Sequence, residues 1–542
     1  MVLVLLLAVV VSALVARLLP LKIPLPLLQI FLGACLYCGG FEVAFDSHLF
    51  LLLFIPPLLF LDGWRIPKGA FFRDWKPILA LAIGLVVFTV LGVGLFVHWL
   101  IPAIPPAVAF ALAAILSPTD PVAVGAMTAT APLPSRLMHI LEGEALLNDA
   151  TGLVCFSFAV AAAETGRFSL PGAALSFAMI AGGGVLVGVA VTAVIGRLNR
   201  LLVRRAGEEP ATQILISLLM PFAAYLTGEL LHVSGILAAA VAGISAHYAE
   251  LAGRASAATR MQRAAVWNTV QAALNGIIFI LLGEHLPPLV QALPDAVAGA
   301  GASHAVHLLG YAAAITVALG GLRFVWVWIS MRLTILRAAH HGQIKAMPQM
   351  RLVAVAATAG VRGAITLAGI LTLPLLTSTG TAFPARDTAI SLAMGVILLS
   401  LLFASVGLPL LTRGLVADLP EPGRRRGEAN ARVAAAEAAV RRIEQIVAAP
   451  ESDGDAAAAR DAASMRLLEA YRRRLEYGGP GDDAIEARRP AEVARTLRLQ
   501  ALAAERDELY RLRRADAIDD DVHRQLVREI DLVEASLLPT AT

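Results

Sequence analysis

Long apolar segments dominate the first three quarters of the chain, and they constrain its fold more than any other feature. Of the 542 residues, 58% are hydrophobic. Up to about residue 417, runs of roughly twenty apolar residues recur, which is the length that crosses a hydrocarbon core about 30 Å thick as a helix. The sequence therefore predicts an all-α polytopic membrane protein.

Hydropathy, together with proline and glycine breaks, predicts about thirteen membrane spans. The shortest break is the one between residues 231 and 233. The first apolar run has no basic leader, so we interpret it as a retained helix and not as a signal peptide. The predicted limits are 1–19, 24–41, 48–62, 76–100, 105–130, 135–163, 171–199, 211–231, 233–250, 264–286, 303–332, 350–376 and 387–415.

The composition changes near residue 418, after which Ala, Arg, Glu and Leu predominate. We therefore expect a transmembrane domain over 1–417 and a soluble tail over 418–542. Apolar residues of the tail recur at three- and four-residue steps, which predicts amphipathic helices in a bundle or coiled coil. Two interpretations stay open: a solvated helical appendage, or a cytoplasmic element that regulates the membrane domain or supports a dimer. Nucleic-acid binding is not expected, because acidic residues interleave the arginines.

The distribution of Lys and Arg between the spans predicts the orientation of the chain. If the N-terminus lies outside, the outer loops contain only Arg167 and Arg386. This asymmetry follows the positive-inside rule. It predicts an external N-terminus and a cytoplasmic tail. We expect the protein in the bacterial inner membrane. The predicted cytoplasmic cations are Arg17, Lys22, Arg65, Lys68, Arg73, Lys76, Arg136, Arg197, Arg200, Arg204, Arg205, Arg254, Arg260, Arg263, Arg337, Lys345 and Arg351.

Several ionisable residues remain within the predicted spans, where a charge is costly and suggests a function. A hydrated interface is the favoured interpretation for Glu229 and Glu284, which lie near span ends. For Arg323, a structural and a functional role are left open. The cysteine pair Cys35 and Cys38 is interpreted as small apolar residues, and no metal or organic cofactor is expected. The ionisable residues are Asp62, Asp120, Glu144, Asp149, Glu229, Glu284, Arg323 and Arg362.

The segment LSPTDPVAV predicts a broken helix inside a span. Pro118 and Pro121 bracket Thr119 and Asp120, so the helix is expected to unwind there. Unwound backbone exposes carbonyl oxygens that bind cations, and Asp120 is placed to cap the second half-helix. The glycines of AGVRGAITLAG (359–369) predict a second interruption, where a guanidinium can offset the negative end of a half-helix. Two interrupted helices indicate the central site of a transporter.

The segment LEGEALLNDATG places two carboxylates on different faces of one helix. Glu144 and Asn148 are four residues apart and share a face. Asp149 points about 140° away from Glu144 and shares its own face with Ala145. We expect Glu144 to pair with Arg362, which leaves Asp149 to exchange its charge. The alternative is that Asp149 is permanently protonated or paired.

These motifs resemble the monovalent cation/proton antiporters of the NhaP and eukaryotic sodium/proton exchanger type, the cation:proton antiporter-1 family. The resemblance implies an inverted-repeat fold with two crossing unwound helices. It also implies a homodimer in which a core domain moves against a dimerisation domain. The matching segments are FIPPLLFLDGWRI (54–66), LSPTDPVAV (116–124), LEGEALLNDATGLV (141–154), SGILAAAVAGI (234–244) and GVRGAI (360–365).

The resemblance also implies roles for single residues. Asp149 would bind the cation or the proton, Thr119 would offer an oxygen ligand, and Asp62 would add an acidic group at the cytoplasmic funnel. Na⁺ is thus expected at Asp149, Asp62 and Thr119. The remaining residues would support the site. Asp120 would support the crossing of the two unwound helices, and Asn148 would hold the ion-site helix. Glu144 would pair with Arg362. Many relatives have Ser where this chain has Ala145, so a hydroxyl ligand is missing.

We therefore predict a secondary active transporter, not an enzyme, that exchanges Na⁺, or alternatively Li⁺ or K⁺, for H⁺. Burial of Asp149 disfavours its charged form, so that a proton competes with the cation. Because Asn148 cannot titrate, we expect electroneutral one-to-one exchange. The alternatives are a K⁺/H⁺ antiporter of the same fold, a cation channel, a sensor driven by the tail, and a transporter for organic substrates.

Overall fold

The structure is a computed structural model in which most of the described residues are helical. Apart from one isolated bridge between Leu376 and Ala382, the described ranges contain no strand pairing. The chain forms two compact units, residues 1–417 and 418–542. The structure describes residues 2–18, 23–41, 47–66, 68–128, 133, 135–165, 170–251, 257–291, 305–340, 350–377, 380–413, 422–448 and parts of 464–534.

The first half of unit 1 consists of helices separated by short turns. Within the helix Trp75–Leu100, residues Ala80–Leu85 form a π-helical turn. The indole Nε1 of Trp326 donates a hydrogen bond to the Ala80 carbonyl at 3.1 Å. The helices are α1 (Val2–Leu18), α2 (Leu25–Cys38), α3 (Ser47–Arg65), α4 (Lys68–Arg73), α5 (Trp75–Leu100), α6 (Pro106–Leu116), α7 (Pro121–Thr128), α8 (Ser135–Thr165) and α9 (Leu170–Ala206).

The second half of unit 1 follows the same pattern. The short break predicted near residue 232 is present, and His232 has a positive φ of 54° between two helices. The helices are α10 (Pro210–Leu230), α11 (Gly235–Leu251), α12 (Ala257–Glu284), α13 (Leu286–Gln291), α14 (Ala305–His340), α15 (Met350–Thr358), α16 (Ala364–Leu371) and α17 (Arg386–Thr412).

Each predicted span contains a helix or a pair of half-helices. Among the described residues, 7 helices are long and apolar enough to cross a membrane, and the number thirteen stays a prediction. Three helices exceed their predicted limits by seven or eight residues: α9 continues to Ala206, α12 begins at Ala257, and α14 continues to His340. Hydropathy locates only the apolar part of a helix. The flanking sequences contain helix-forming polar residues and no proline, so the helices continue.

Both predicted interruptions are present, and they contact each other. The helix over 106–128 is broken at residues 117–120, between α6 and α7. The helix over 350–371 is broken at residues 359–363, between α15 and α16. The backbone N–H of Asp120 donates a hydrogen bond to the Val361 carbonyl at 2.8 Å. The two unwound segments therefore cross, and each satisfies backbone groups that the other leaves open.

Glycines allow two pairs of helices to pack backbone against backbone. A Cβ atom on Gly63 of α3 would lie 2.3 Å from the Ala240 carbonyl oxygen of α11. Between α2 and α12, a Cβ on Gly33 would lie 1.9 Å from the Ile280 carbonyl oxygen. Any side chain at these glycines would separate the helices, so glycine holds α3 and α12 in place.

The largest group of buried apolar side chains lies among α5 to α8 and α14 to α17. The half-helix α6 is enclosed there, and Leu112 and Ile115 are both 0% exposed. Smaller groups lie among α1 to α3 and α9 to α12, around residues such as Ile55 and Trp267. The broken helices therefore belong to one bundle and face α3 and α12 of the other.

Unit 2 begins with a further helix, α18 (Pro422–Val447). Later in this unit, Arg506 donates hydrogen bonds to Asp531 at 2.7 Å and to Glu534 at 2.5 Å. Leu502 and Ile530 are buried. The described parts of the tail thus contain helical segments that are joined by charged side chains.

Candidate ion-binding site

A cavity of about 60 Å³ lies where the crossing segments face α3 and α12. Its apolar wall comes from side chains such as Ile55 and Phe279. A volume of this size accommodates a few water-sized particles, whereas pockets for organic ligands measure about 300–1,000 Å³. Its polar lining consists of Asp62, Thr119, Asp120, Asp149, Asn275 and Thr366.

Asp149 of α8 points into this cavity and is 5% exposed. Ala145 lines the same wall, as expected for a residue on the same helical face. Over the described residues, no side chain donates a hydrogen bond to the Asp149 carboxylate. The nearby carboxylates of Asp120 and Asp62 repel its charge. A cation or a proton that enters the cavity would relieve this repulsion.

Thr119 and Asn148 connect the first break to α8. The Asn148 Nδ2 atom donates a hydrogen bond to the Thr119 Oγ1 atom at 3.1 Å, and this hydroxyl donates to Oε1 of Glu144 at 3.5 Å. Asn148 is 0% exposed and does not line the cavity. Glu144 and Asn148, which share one face of α8, therefore hold the unwound segment, while Asp149 faces the cavity.

Asp120 lies between the N-terminal ends of two half-helices. Its Oδ1 atom accepts a hydrogen bond from the Ala123 N–H at 3.3 Å, so it caps α7 as predicted. A Cβ atom on Gly363, directly before α16, would lie 2.2 Å from its Oδ2 atom. The negative charge of Asp120 is therefore placed where both half-helices are positive.

Both prolines of the first break lie where the sequence predicted an interruption. Pro121 is the first residue of α7, a position where its missing N–H costs nothing. Pro118 lies in the unwound segment against α8, since a Cβ atom on Gly152 would lie 2.5 Å from its Cγ atom. Gly152 thus lets the unwound segment approach α8 closely.

The expected ion pair between Glu144 and Arg362 is wrong, because Glu144 pairs with Arg323. The Arg323 Nη1 atom lies 2.5 Å from Oε1 of Glu144, and its Nη2 atom donates to Oε2 at 2.7 Å. The Nε atom of Arg323 also donates to the Ala356 carbonyl at 2.9 Å. Sequence spacing does not decide which of two arginines on distant helices meets a carboxylate.

Arg362 instead binds backbone carbonyls at the ends of two half-helices. Its Nε atom donates to the Leu116 carbonyl at 2.9 Å, and its Nη1 atom donates to the Gly360 carbonyl. Leu116 ends α6, and Gly360 lies just beyond α15. The predicted compensation of a negative helix end by this guanidinium is therefore confirmed. At the crossing, Arg362 thus lies at the C-terminal ends of two half-helices, and Asp120 lies at the N-terminal ends of the other two.

The acidic residues near span ends differ in how exposed they are and in whether they line the cavity. Glu229 is exposed near the end of α10, as expected. Glu284 is the last residue of α12 but is only 5% exposed, so the expectation of a hydrated side chain is wrong. Asp62 lies in the last turn of α3 and lines the cavity. The arrangement of the helices decides which of the three faces the site.

The polar side chains of α12 near the cavity were not predicted from the sequence. Asn275 lines the cavity, and Asn268 and Gln271 follow on the same helical face towards the start of the helix. The stretch WNTVQAALNG contains the signal, because polar residues recur there at three- and four-residue steps within an apolar helix. Thr366 of α16 was missed as well.

The side chains brought together suit a small hard cation. Asp149, Asp62 and Thr119, the three residues expected to bind Na⁺, all line the cavity. Carboxylate and hydroxyl oxygens are ligands for hard cations. In the described part of the chain, no three residues of the His, Cys, Asp or Glu type form a metal-binding group.

Two broken helices that cross beside a buried carboxylate are typical of a secondary active transporter. Residues 4–414 match the family described as "Sodium/hydrogen exchanger, transmembrane", and the chain belongs to this family. This confirms the predicted class, a polytopic cation/proton antiporter.

Curated relatives agree with this assignment. The chain is 40% identical to the uncharacterized Na⁺/H⁺ exchanger YjcE of Escherichia coli (strain K12), over 99% of this chain and 98% of that protein. It is 42% identical to the sodium, potassium, lithium and rubidium/H⁺ antiporter of Bacillus subtilis (strain 168), over 76% of this chain and 61% of that protein.

A solved structure shows the same fold. It is the sodium proton antiporter MjNhaP1 from Methanocaldococcus jannaschii, with a TM-score of 0.57 and 19% identity. The similarity covers 76% of this chain and 98% of that one.

Proposed function

We propose that the chain exchanges a monovalent cation, with Na⁺ as the preferred ion, for a proton at Asp149. The observation that carries the proposal is a nearly buried carboxylate facing a cavity of about 60 Å³, beside two crossing unwound segments. The cavity suits a small ion with little water. A bound proton or a bound cation neutralises Asp149, so only the occupied site crosses the apolar barrier readily.

The exchange is proposed to be electroneutral, with one proton for each cation. Asn148, the neighbour of Asp149, cannot titrate, and its amide donates a hydrogen bond to Thr119. The Glu144–Arg323 pair offsets its own charges within the bundle. One carboxylate therefore changes its occupant during transport.

A broader cation preference that includes K⁺ is the second candidate. Ala145 places a methyl group where a hydroxyl ligand would face the cavity. A site with fewer protein ligands leaves more room for water and for a larger ion, which weakens discrimination by size. The Bacillus subtilis relative is named for four alkali cations, which supports this candidate.

We propose that the protein works as a homodimer in the bacterial inner membrane, with the N-terminus outside and the tail in the cytoplasm. The bundle of α5 to α8 and α14 to α17, which contains the crossing, is the part proposed to move. The bundle of α1 to α3 and α9 to α12 is proposed to form the dimer contact. The tail is proposed to regulate transport or to support the dimer.

Proton-driven Na⁺, Li⁺ and K⁺ flux in proteoliposomes, compared side by side, tests the function. Asp149→Asn is expected to reduce exchange to the protein-free background, whereas the exposed control Asp387→Asn retains it. Rates should not change when the membrane potential is clamped, because no net charge moves. Retained activity of Asp149→Asn would refute the assignment of Asp149 as the binding site. Rates that follow the membrane potential would refute the one-to-one stoichiometry. An ionic conductance would favour a channel.

A further inference from the structure

A strip of amide side chains on α12 extends from the cavity to the C-terminal end of α3. Asn268, Gln271 and Asn275 lie three and four residues apart and share one face of the helix. Asn275 lines the cavity with Asp149. The other two amides lie one and two helical turns away, where they contact the last residue of α3. The strip therefore connects the candidate ion site with one end of the bundle.

The guanidinium of Arg65 is held by the two outer amides of this strip. Its Nη1 atom donates to the Gln271 Oε1 atom at 2.5 Å, and its Nη2 atom donates to the Asn268 Oδ1 atom. Asp62 lies three residues earlier on α3, at a spacing where opposite charges attract and pair. In this structure Arg65 bonds to the amides, and Asp62 lines the cavity.

The identity of the two acceptors matters because an amide carries no net charge. A carboxylate in place of Gln271 or Asn268 would compete with the cavity for an arriving cation, whereas an amide oxygen holds the guanidinium without adding a negative charge. The backbone of α3 is fixed beside this point, since Gly63 packs directly against Ala240. Formation of an Arg65–Asp62 ion pair would therefore require only that the two side chains rotate.

We propose that Gln271 and Asn268 are positioning residues for cation entry, which hold Arg65 away from Asp62. The carboxylate of Asp62 then faces the cavity and attracts the cation towards Asp149. If the amides are removed, Arg65 pairs with Asp62, and the cavity loses part of its negative field. This inference rests on the proposed cation/proton exchange.

The test uses the full chain in proteoliposomes, with the apparent KM for Na⁺ and the maximal rate measured separately. The combined substitutions Gln271→Met and Asn268→Leu keep the side-chain size and remove the acceptors. They are expected to raise the KM about three- to tenfold, the effect of one charge at about 4 Å in a water-like dielectric, with little change in maximal rate. The effect should shrink at high ionic strength, because the Arg65 end of the strip is exposed.

Arg65 itself supplies the decisive controls. Arg65→Gln in the amide-free variant should return the KM to the wild-type value or below it, and Arg65→Gln alone should lower the KM. Arg65→Lys keeps the charge and should not lower it. Arg200→Gln removes an exposed arginine from α9 and should leave the KM unchanged.

The outcomes separate this inference from the proposed function. Absence of proton-coupled Na⁺ flux in the wild type refutes the function itself. With a working wild type, an unchanged KM in the amide-free variant, or a raised KM that persists after Arg65→Gln, overturns the positioning role. If the amide-free variant does not accumulate as a monodisperse protein, Arg65→Gln alone decides, and an unchanged KM overturns the proposal.

Discussion

Glu144 and Arg323 form an ion pair with two hydrogen bonds inside the membrane unit, at 2.5 Å and 2.7 Å. The two side chains are 1% and 3% exposed. Arg323 also binds the Ala356 carbonyl near the end of α15, so the pair ties α8 to one of the broken helices. Because Glu144 is committed to this pair, Asp149 is the carboxylate of α8 that faces the cavity.

Removal of one partner of this pair should be strongly destabilising. Glu144→Gln leaves the Arg323 charge buried without its carboxylate, which costs about 3–5 kcal/mol. We expect a lower midpoint of thermal unfolding for the purified protein in detergent, measured by fluorescence. The double variant Glu144→Gln, Arg323→Gln removes both charges and should recover part of the loss. A single variant as stable as the wild type would contradict the importance of the pair.

Gly363 is expected to tolerate no side chain. In Gly363→Ala the new methyl group would lie 2.2 Å from Oδ2 of Asp120, so the crossing must open or the cap of α7 must break. Loss of exchange and a lower unfolding midpoint should follow. Gly310→Ala is the matched control, since its Cβ atom would meet nothing within 4 Å. Equal behaviour of the two variants would show that the crossing can relax.

Ala145→Ser should increase the selectivity for small cations over K⁺. The new hydroxyl would face the cavity beside Asp149 and supply one more oxygen ligand. A polar contact worth about 1 kcal/mol corresponds to about a fivefold lower KM, expected for Na⁺ and Li⁺ and smaller for K⁺. Measurement of KM for the three ions checks this, with Ala162→Ser on the same helix as the control. A uniform shift for all three ions would argue against direct ligation.

Thr119→Val should disturb the site through Asn148. The valine methyl groups cannot accept the Asn148 hydrogen bond, and a buried amide without a partner costs about 1–3 kcal/mol. We expect a lower unfolding midpoint and slower exchange. Thr119→Ser retains the hydroxyl and should resemble the wild type in both measurements. If the valine variant also resembles the wild type, the hydroxyl contributes neither support nor ligation.

The predicted orientation can be tested with single cysteines in a cysteine-free variant. Thiols placed in the tail should react with a membrane-impermeant maleimide in inside-out vesicles and not in intact cells. Thiols placed at Asp387, at the outer end of the last predicted span, should show the reverse. The positive-inside distribution is the physical reason for this expectation. Labelling of both sites from the same side would refute the predicted topology.

Features that depend on local sequence could be predicted for this protein. Pro118, Pro121 and the glycines around Arg362 break helices wherever such helices lie, so both interruptions could be located in advance. The cap formed by Asp120 and the shared face of Ala145 and Asp149 follow from helical spacing alone.

Features that depend on contacts between distant helices could not be predicted. Arg323 and Arg362 are both arginines inside apolar helices, and no local pattern tells which of them meets Glu144. The burial of Glu284 and the approach of Asn275 to the site depend on how α12 packs against α2 and α3. The contact of Gly33 with Ile280 sets the packing of α12 against α2, and that of Gly63 with Ala240 sets the packing of α3 against α11.

The sequence by itself determined that the chain is a helical polytopic membrane protein with two broken helices, which follows from hydropathy, periodicity and backbone chemistry within a few residues. The antiporter class and the role of Asp149 were implied by the resemblance of its motifs to a known family. Only the tertiary structure decided the partner of Glu144, the place of Arg362 at the helix ends, and the amides that hold Arg65. These contacts join residues far apart in the chain, and charge compensation in a bundle depends on which helix ends meet in space.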